Sequence, residues 1–210
     1  MFNLVNLNYQ DRLRLNLKLG MARAFVFSLM FFVPIWYEFE TWYLAGATLA
    51  TIYSASHIIT VILEMPTGAL ADLIGRRKTM ALGGFIWVIG YAIIAQQTAA
   101  WMVWAGYLIN AFGDALFSGS DVALYYDSLK ELDREKDFSK YQAQKSLLFR
   151  IGLVIATFMG AWVYQLNPRL PYGIYAVLML ITGIITLFFQ EPKIDSEKFS
   201  LKNYINQTKQ

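Results

Sequence analysis

Gly68-Ala69-Leu70-Ala71-Asp72-Leu73-Ile74-Gly75-Arg76-Arg77-Lys78 is a compact charged loop set between two long uncharged stretches. Upstream, no Asp, Glu, Lys or Arg occurs from Thr41 to Leu63, and downstream none occurs from Thr79 to Gly113. Such a cluster can act as a latch. Gly68 and Ala71 are small enough for a neighbouring helix to approach closely. Asp72 is placed to accept from a helix N-terminus or an Arg, and Gly75 permits a sharp turn. Arg76 and Arg77 can bind a carboxylate bidentately or meet anionic lipid.

Working outward, further uncharged runs cover Ile151 to Pro168 and Leu170 to Gln190. A bilayer core needs roughly 20 consecutive apolar helical residues, so runs of this length predict membrane spans. Of the 210 residues, 57% are hydrophobic and 16% charged, a shift from soluble composition that excludes a disordered chain. Six spans are expected, at about 19–37, 41–68, 79–97, 99–126, 146–166 and 170–190. The 35-residue run from Thr79 to Gly113 is too long for one crossing, so it holds a hairpin whose tip is Gln96, Gln97 and Thr98.

Sixteen of the eighteen Lys and Arg fall on one side of this topology. Arg12, Arg14, Lys18 and Arg23 precede or begin the first span, and Arg76, Arg77 and Lys78 lie in the second loop. Lys130, Arg134, Lys136, Lys140 and Lys145 lie in the fourth loop, and Lys193, Lys198, Lys202 and Lys209 in the tail. Arg169 stands alone opposite, and Arg150 lies within the fifth span. The bias predicts that both termini are cytoplasmic, and Trp36, Trp42, Trp101, Trp104 and Trp162 agree by falling near outer span ends. On this topology the sequon Asn206-Gln207-Thr208 is cytoplasmic and reads as chance. Three segments result: a cytoplasmic N-terminal segment 1–18, a six-span bundle 19–190, and a cytoplasmic tail or linker start 191–210. The N-terminal segment lacks the pattern of a cleaved signal.

The remaining totals exclude function classes. The chain has no Cys and a single His, with no cluster of metal-ligand spacing, so no metal and no cofactor is expected. A net charge of +3 does not argue for nucleic acid, and no phosphate-binding loop or nucleophile elbow is present. An enzyme is therefore not expected.

The loop resembles the signature of the major facilitator superfamily of secondary transporters, G-x-L-A-D-x-x-G-R-R, and Gly68 to Arg77 match every fixed position. Glu64-Met65-Pro66-Thr67 and the stretch Ser118 to Asp127 also look like segments of bacterial members. The resemblance covers essentially the whole chain but half the family's architecture, which has two six-helix bundles, each of two inverted three-helix repeats. It implies an all-α membrane protein of six transmembrane helices, in a bacterial inner (plasma) membrane. The implied activity is movement of a small-molecule substrate by alternating access, with protons as a candidate coupling ion. The implied partners are the lipid bilayer and either a second six-helix bundle in cis or a second copy in a homodimer. By the same resemblance, Gly68, Asp72, Gly75, Arg76, Arg77 and Asp127 form a conformational latch: Asp72 caps a helix of the second bundle while Arg76 pairs with Asp127.

Ionisable residues inside spans cost about 3 kcal/mol each unless paired or wet, which makes them candidate substrate or proton sites. These are His57 and Glu64 in the second span, Asp114 and Asp121 in the fourth, and Arg150 in the fifth. His57 and Glu64 are seven residues apart, as are Asp114 and Asp121, so each pair shares a helix face. Arg150 is expected to meet Asp121 or Asp114, as a structural ion pair or as a coupling site. Asp114, beside Gly113, is the best candidate proton carrier. His57 reads first as a packing residue, and Glu64 as either a carboxyl stabilising the bend near Pro66 or a coupling site. The sequence departs from the family's drug/proton antiporters in two places. No Arg occurs in Asn110-Ala111-Phe112-Gly113-Asp114, and no Gly-Pro pair occurs between Gly152 and Gly160. A non-transporting six-helix scaffold or receptor stays open as the alternative.

Overall fold

The computed structural model describes residues 7–193. The first six residues and 194–210, and with them the sequon at Asn206 and most of the tail, lie outside the described part. Among the described residues the chain is helical without strands: α1 Tyr9–Ser28, α2 Trp36–Glu40, α3 Gly46–Ile74, α4 Arg76–Ala95, α5 Ala100–Glu131, α6 Phe138–Leu166 and α7 Leu170–Leu187. A single 3-10 turn, Glu135–Asp137, leads into α6.

Four of these segments are long and apolar enough to cross a membrane by length and composition: α3, α4, α7, and α6 with its leading turn. α1 and α5 are long but carry charge, Asp11 to Arg23 in one and Asp114, Asp121 and Asp127 in the other. Their interior charges face each other. Arg23 of α1 is 3% exposed and is ion-paired with Asp121 of α5, so two charges that would each be costly alone lie in one shared interior.

Pro34 explains why the first apolar stretch is not one helix. Its ring removes an N–H and crowds the carbonyl four residues earlier, which disfavours continuing the helix through Met30 to Val33. α1 stops at Ser28, tight turns follow, and α2 supplies a last short helical piece. The N-terminal half of α1 packs against the same interior, with Leu13 and Asn16 fully buried. The Asn16 amide donates to Ser128 Oγ (3.0 Å) and to the Gln190 carbonyl (2.8 Å), and Asn16 Oδ1 accepts from the Gln190 N–H (2.8 Å). These bonds satisfy the backbone N–H and C=O of Gln190, just beyond α7.

α4 is the central helix, packed on α5 on one side and α7 on the other, while α3 lies on α5 and α1 on α6. Backbone proximity makes the α4–α5 seam. A Cβ on Gly83 would sit 2.8 Å from the Gly113 carbonyl oxygen, so only hydrogen fits there. The core beside that seam is aromatic, with Trp87, Phe117, Tyr125 and Tyr175 packed around Met80 and Met179. By contrast α3 presents Ile58, Val61, Ile62 and Met65 outward, and α6 presents Leu147, Val154, Phe158 and Trp162.

Candidate functional site

The charged loop ends α3 at Ile74 and starts α4 at Arg76, with Gly75 alone between them. Gly75 has φ +98°, a backbone conformation that other residues rarely adopt, which is why the turn needs glycine. The N-terminus of α4 is then capped from a distance. Glu191 Oε1 accepts from the Arg76 N–H (2.7 Å) and Oε2 from the Arg77 N–H (3.0 Å), so one carboxylate meets two orphan donors and the positive end of the helix dipole. Arg77 Nη1 donates to the Phe189 carbonyl (3.1 Å), tying the same end of α7 to the loop.

Arg76 and Asp127 are brought together as an ion pair between α4 and α5, with Asp127 6% exposed. Asp72 has no hydrogen bond or ion pair among the described residues and is exposed. A Cβ on Gly68 would meet nothing within 4 Å. The close helix approach expected there is thus not made by any described part of this chain, and α3 presents Gly68 and Asp72 on an open face.

The buried acids sort differently from the sequence expectation. Asp121 binds Arg23 through Oδ1 and Lys145 Nζ through Oδ2 (2.7 Å), while the Tyr125 hydroxyl accepts from Arg23 Nη2 (3.1 Å). The Arg23 guanidinium also lies 4.3 Å from the Phe117 ring centroid, a cation–π contact. Arg150 is not the partner of Asp121 or Asp114. It is exposed and makes no ion pair among the described residues. Helical phase is the reason: five residues separate Lys145 from Arg150, a rotation of about 140°, so when Lys145 faces Asp121, Arg150 faces away. Arg23, counted in sequence with the flanking positive charges, is a bundle residue because α1 runs through it.

Asp114 accepts from Trp87 Nε1 (2.8 Å) and is exposed on the open side of α5, with His57 of α3 within electrostatic range. Glu64 accepts from Ser118 Oγ (2.8 Å), and Thr67 Oγ1 nearby donates to the Ala115 carbonyl (2.9 Å), so these bonds join α3 to α5 around Pro66. His57, Glu64 and Asp114 therefore line one face, and Asp121 belongs to the interior.

Sequence reading missed one acid. Glu40, at the end of α2 in the connection between α1 and α3, is fully buried. Its Oε1 accepts from the hydroxyls of Tyr107 (2.6 Å) and Tyr172, and Tyr53 lies 3.4 Å from Oε2. Burial pushes its carboxyl up to about 7, against the three tyrosine donors, which favour the charged form. The only sequence signal is an acid inside the otherwise apolar Phe39-to-Leu49 region, since the three tyrosines come from three distant helices. Among the described residues no group of three or more His, Cys, Asp or Glu could hold a metal ion.

A model described as the Major Facilitator Superfamily matches residues 19–204. Among curated proteins the chain is similar to the multidrug resistance protein MdtH of Cronobacter sakazakii, 28% identical over 114 residues, 54% of this chain and 27% of that protein. The MdtH of Photorhabdus laumondii is 31% identical over 122 residues, covering 58% and 29%, and that of Salmonella typhimurium 26% over 117 residues, covering 56% and 28%. The matched segment spans under a third of the length of these relatives. With a match through most of the chain, an all-helical fold and the Gly75 turn flanked by Asp72 and Arg76, this is an integral membrane protein that belongs to the major facilitator superfamily.

Proposed function

We propose that the chain forms one six-span bundle, residues 19–190, of a secondary transporter that moves small solutes by alternating access. Both termini then face the cytoplasm and the Gly75 end is the inner end. The relatives' description as multidrug resistance proteins makes drugs the leading substrate class. The carrying observation is the asymmetry at the loop: Arg76 is committed to Asp127 and the α4 N-terminus to Glu191, whereas Asp72 and Gly68 stand open. A second bundle, in cis or from a second copy, would supply the helix N-terminus that Asp72 caps, and the latch would hold one of the two access states.

Transport by the complete protein that carries this chain, reconstituted in vesicles, tests the reading. Asp72→Asn should lower drug transport while leaving membrane insertion intact, and wild-type rates would remove the latch from consideration. Gly68→Leu should also lower transport, because the bulk would meet the second bundle. A non-transporting scaffold would show no transport in either protein.

Proton coupling at Asp114 is the second reading, favoured by its place on the open face beside His57 and by its single hydrogen bond to Trp87. Asp114→Asn should remove the dependence of transport on an imposed pH gradient. Unchanged dependence would clear Asp114 of that role.

A further inference from the structure

Glu40 lies at the end of the bundle opposite Gly75, and its surroundings have the composition of a proton site. Four elements converge on one fully buried carboxyl: α2 carries it, and α3, α5 and α7 bring the hydroxyls of Tyr53, Tyr107 and Tyr172. The Tyr53 and Tyr107 hydroxyls also bond each other, so the cluster is a connected network. From α4, the partly buried Tyr91 lies within electrostatic range of both Glu40 and Asp114. From α6, the Tyr164 hydroxyl bonds the exposed Glu38 (3.1 Å) instead.

Among the described residues no cation balances the charge. Glu40 makes no ion pair among the described residues, and Arg169, in the connection between α6 and α7 at this same end, makes none either. A buried carboxylate without a cation is costly, and neutral hydroxyl donors offset only part of that cost. A tyrosine hydroxyl both donates and accepts, so a protonated Glu40 can donate back into the same cluster once a hydroxyl rotates. Both protonation states are thereby accommodated without moving a helix.

The geometry points to Glu40 as a reversible proton-binding site, with Tyr53, Tyr107 and Tyr172 as the groups that hold its charged form. Proton occupancy there changes the bonding of the α1–α3 connection to three helices at once. The site is separate from the Asp114 reading above, and its test separates them.

Infrared spectra of the full chain in lipid nanodiscs, titrated through pH 7, read the carboxylic C=O stretch directly. The expected result is a band that titrates near neutrality, disappears in Glu40→Gln and persists in Asp114→Asn. Tyr107→Phe, which removes a donor to the charged form, should move the midpoint to higher pH. With Asp114→Asn as the background, a neutral-range band that survives the addition of Glu40→Gln overturns the assignment, as does the absence of such a band from Asp114→Asn itself. Should Glu40→Gln fail to fold, an unmoved midpoint in folded Tyr107→Phe overturns it equally.

Discussion

The Arg76 guanidinium and the Asp127 carboxylate close an ion pair between the start of α4 and the last turns of α5, with the acid almost wholly buried. The pair is local to this chain, so it needs no second bundle to form. Removing one partner leaves a charge stranded. Arg76→Gln should destabilise by about 1–3 kcal/mol, less than a fully buried pair because the Arg side chain is 25% exposed. Thermal unfolding in detergent checks this, and the double variant Arg76→Gln/Asp127→Asn should recover much of the loss.

Asp121 offers a sharper contrast. Arg23→Met removes one of the two partners of Asp121, with Lys145 left to pair it, and should cost about 1–3 kcal/mol, whereas Arg150→Met should stay within about 0.5 kcal/mol. Denaturation of the three proteins side by side decides it. Equal costs for the two variants would contradict the pairing of Asp121 with Arg23 and Lys145.

How far the sequence could be read follows from where each interaction's partners lie in the chain. The Gly75 turn and the helices around it were legible because glycine, charge and apolar runs are all local signals. The pairing of Arg76 with Asp127 came from the family resemblance, not from spacing. Arg23 was misread because charge counting treats the start of an apolar run as a flank, and nothing local shows that α1 extends from Tyr9 to Ser28. A charge inside a span does not itself reveal its partner: only the helical phase between Arg150 and Lys145 separates the side chain that faces Asp121 from the one that faces away. Glu40 could not be found at all from spacing, since its three hydroxyl partners lie 13, 67 and 132 residues away in sequence.

Glu191 should matter to the loop in a way its position after α7 does not suggest. Glu191→Ala removes acceptors from the Arg76 and Arg77 amides and should cost about 0.5–2 kcal/mol, the range for losing a helix N-cap. Hydrogen exchange is the direct measurement. Faster exchange confined to the first turn of α4 is expected, and unchanged protection would contradict the cap.

The α4–α5 seam predicts opposite outcomes at two glycines. Gly83→Ala places a methyl 2.8 Å from the Gly113 carbonyl and should destabilise by about 1–3 kcal/mol through overpacking. Gly119→Ala, in the interior of α5 with nothing within 4 Å, should be neutral or gain up to about 1 kcal/mol of helix propensity. Melting temperatures of the two variants in one detergent compare them directly.

Glu40 sets a pH dependence whose sign is fixed by the direction of its shift. Its carboxyl is raised from 4.5 to about 7 in the folded chain, so between those values the folded state binds more protons than the unfolded one. Stability should therefore fall as pH rises through that window and level off above about 7. The ceiling on this contribution is about 3 kcal/mol. Glu40→Gln carries no titrating group there, so its melting temperature should lack that decline and approach or exceed the wild type's above neutrality. The reverse slope, with the wild type gaining stability over the same window relative to Glu40→Gln, would mean that the tyrosine hydroxyls outweigh burial and keep the carboxylate ionised.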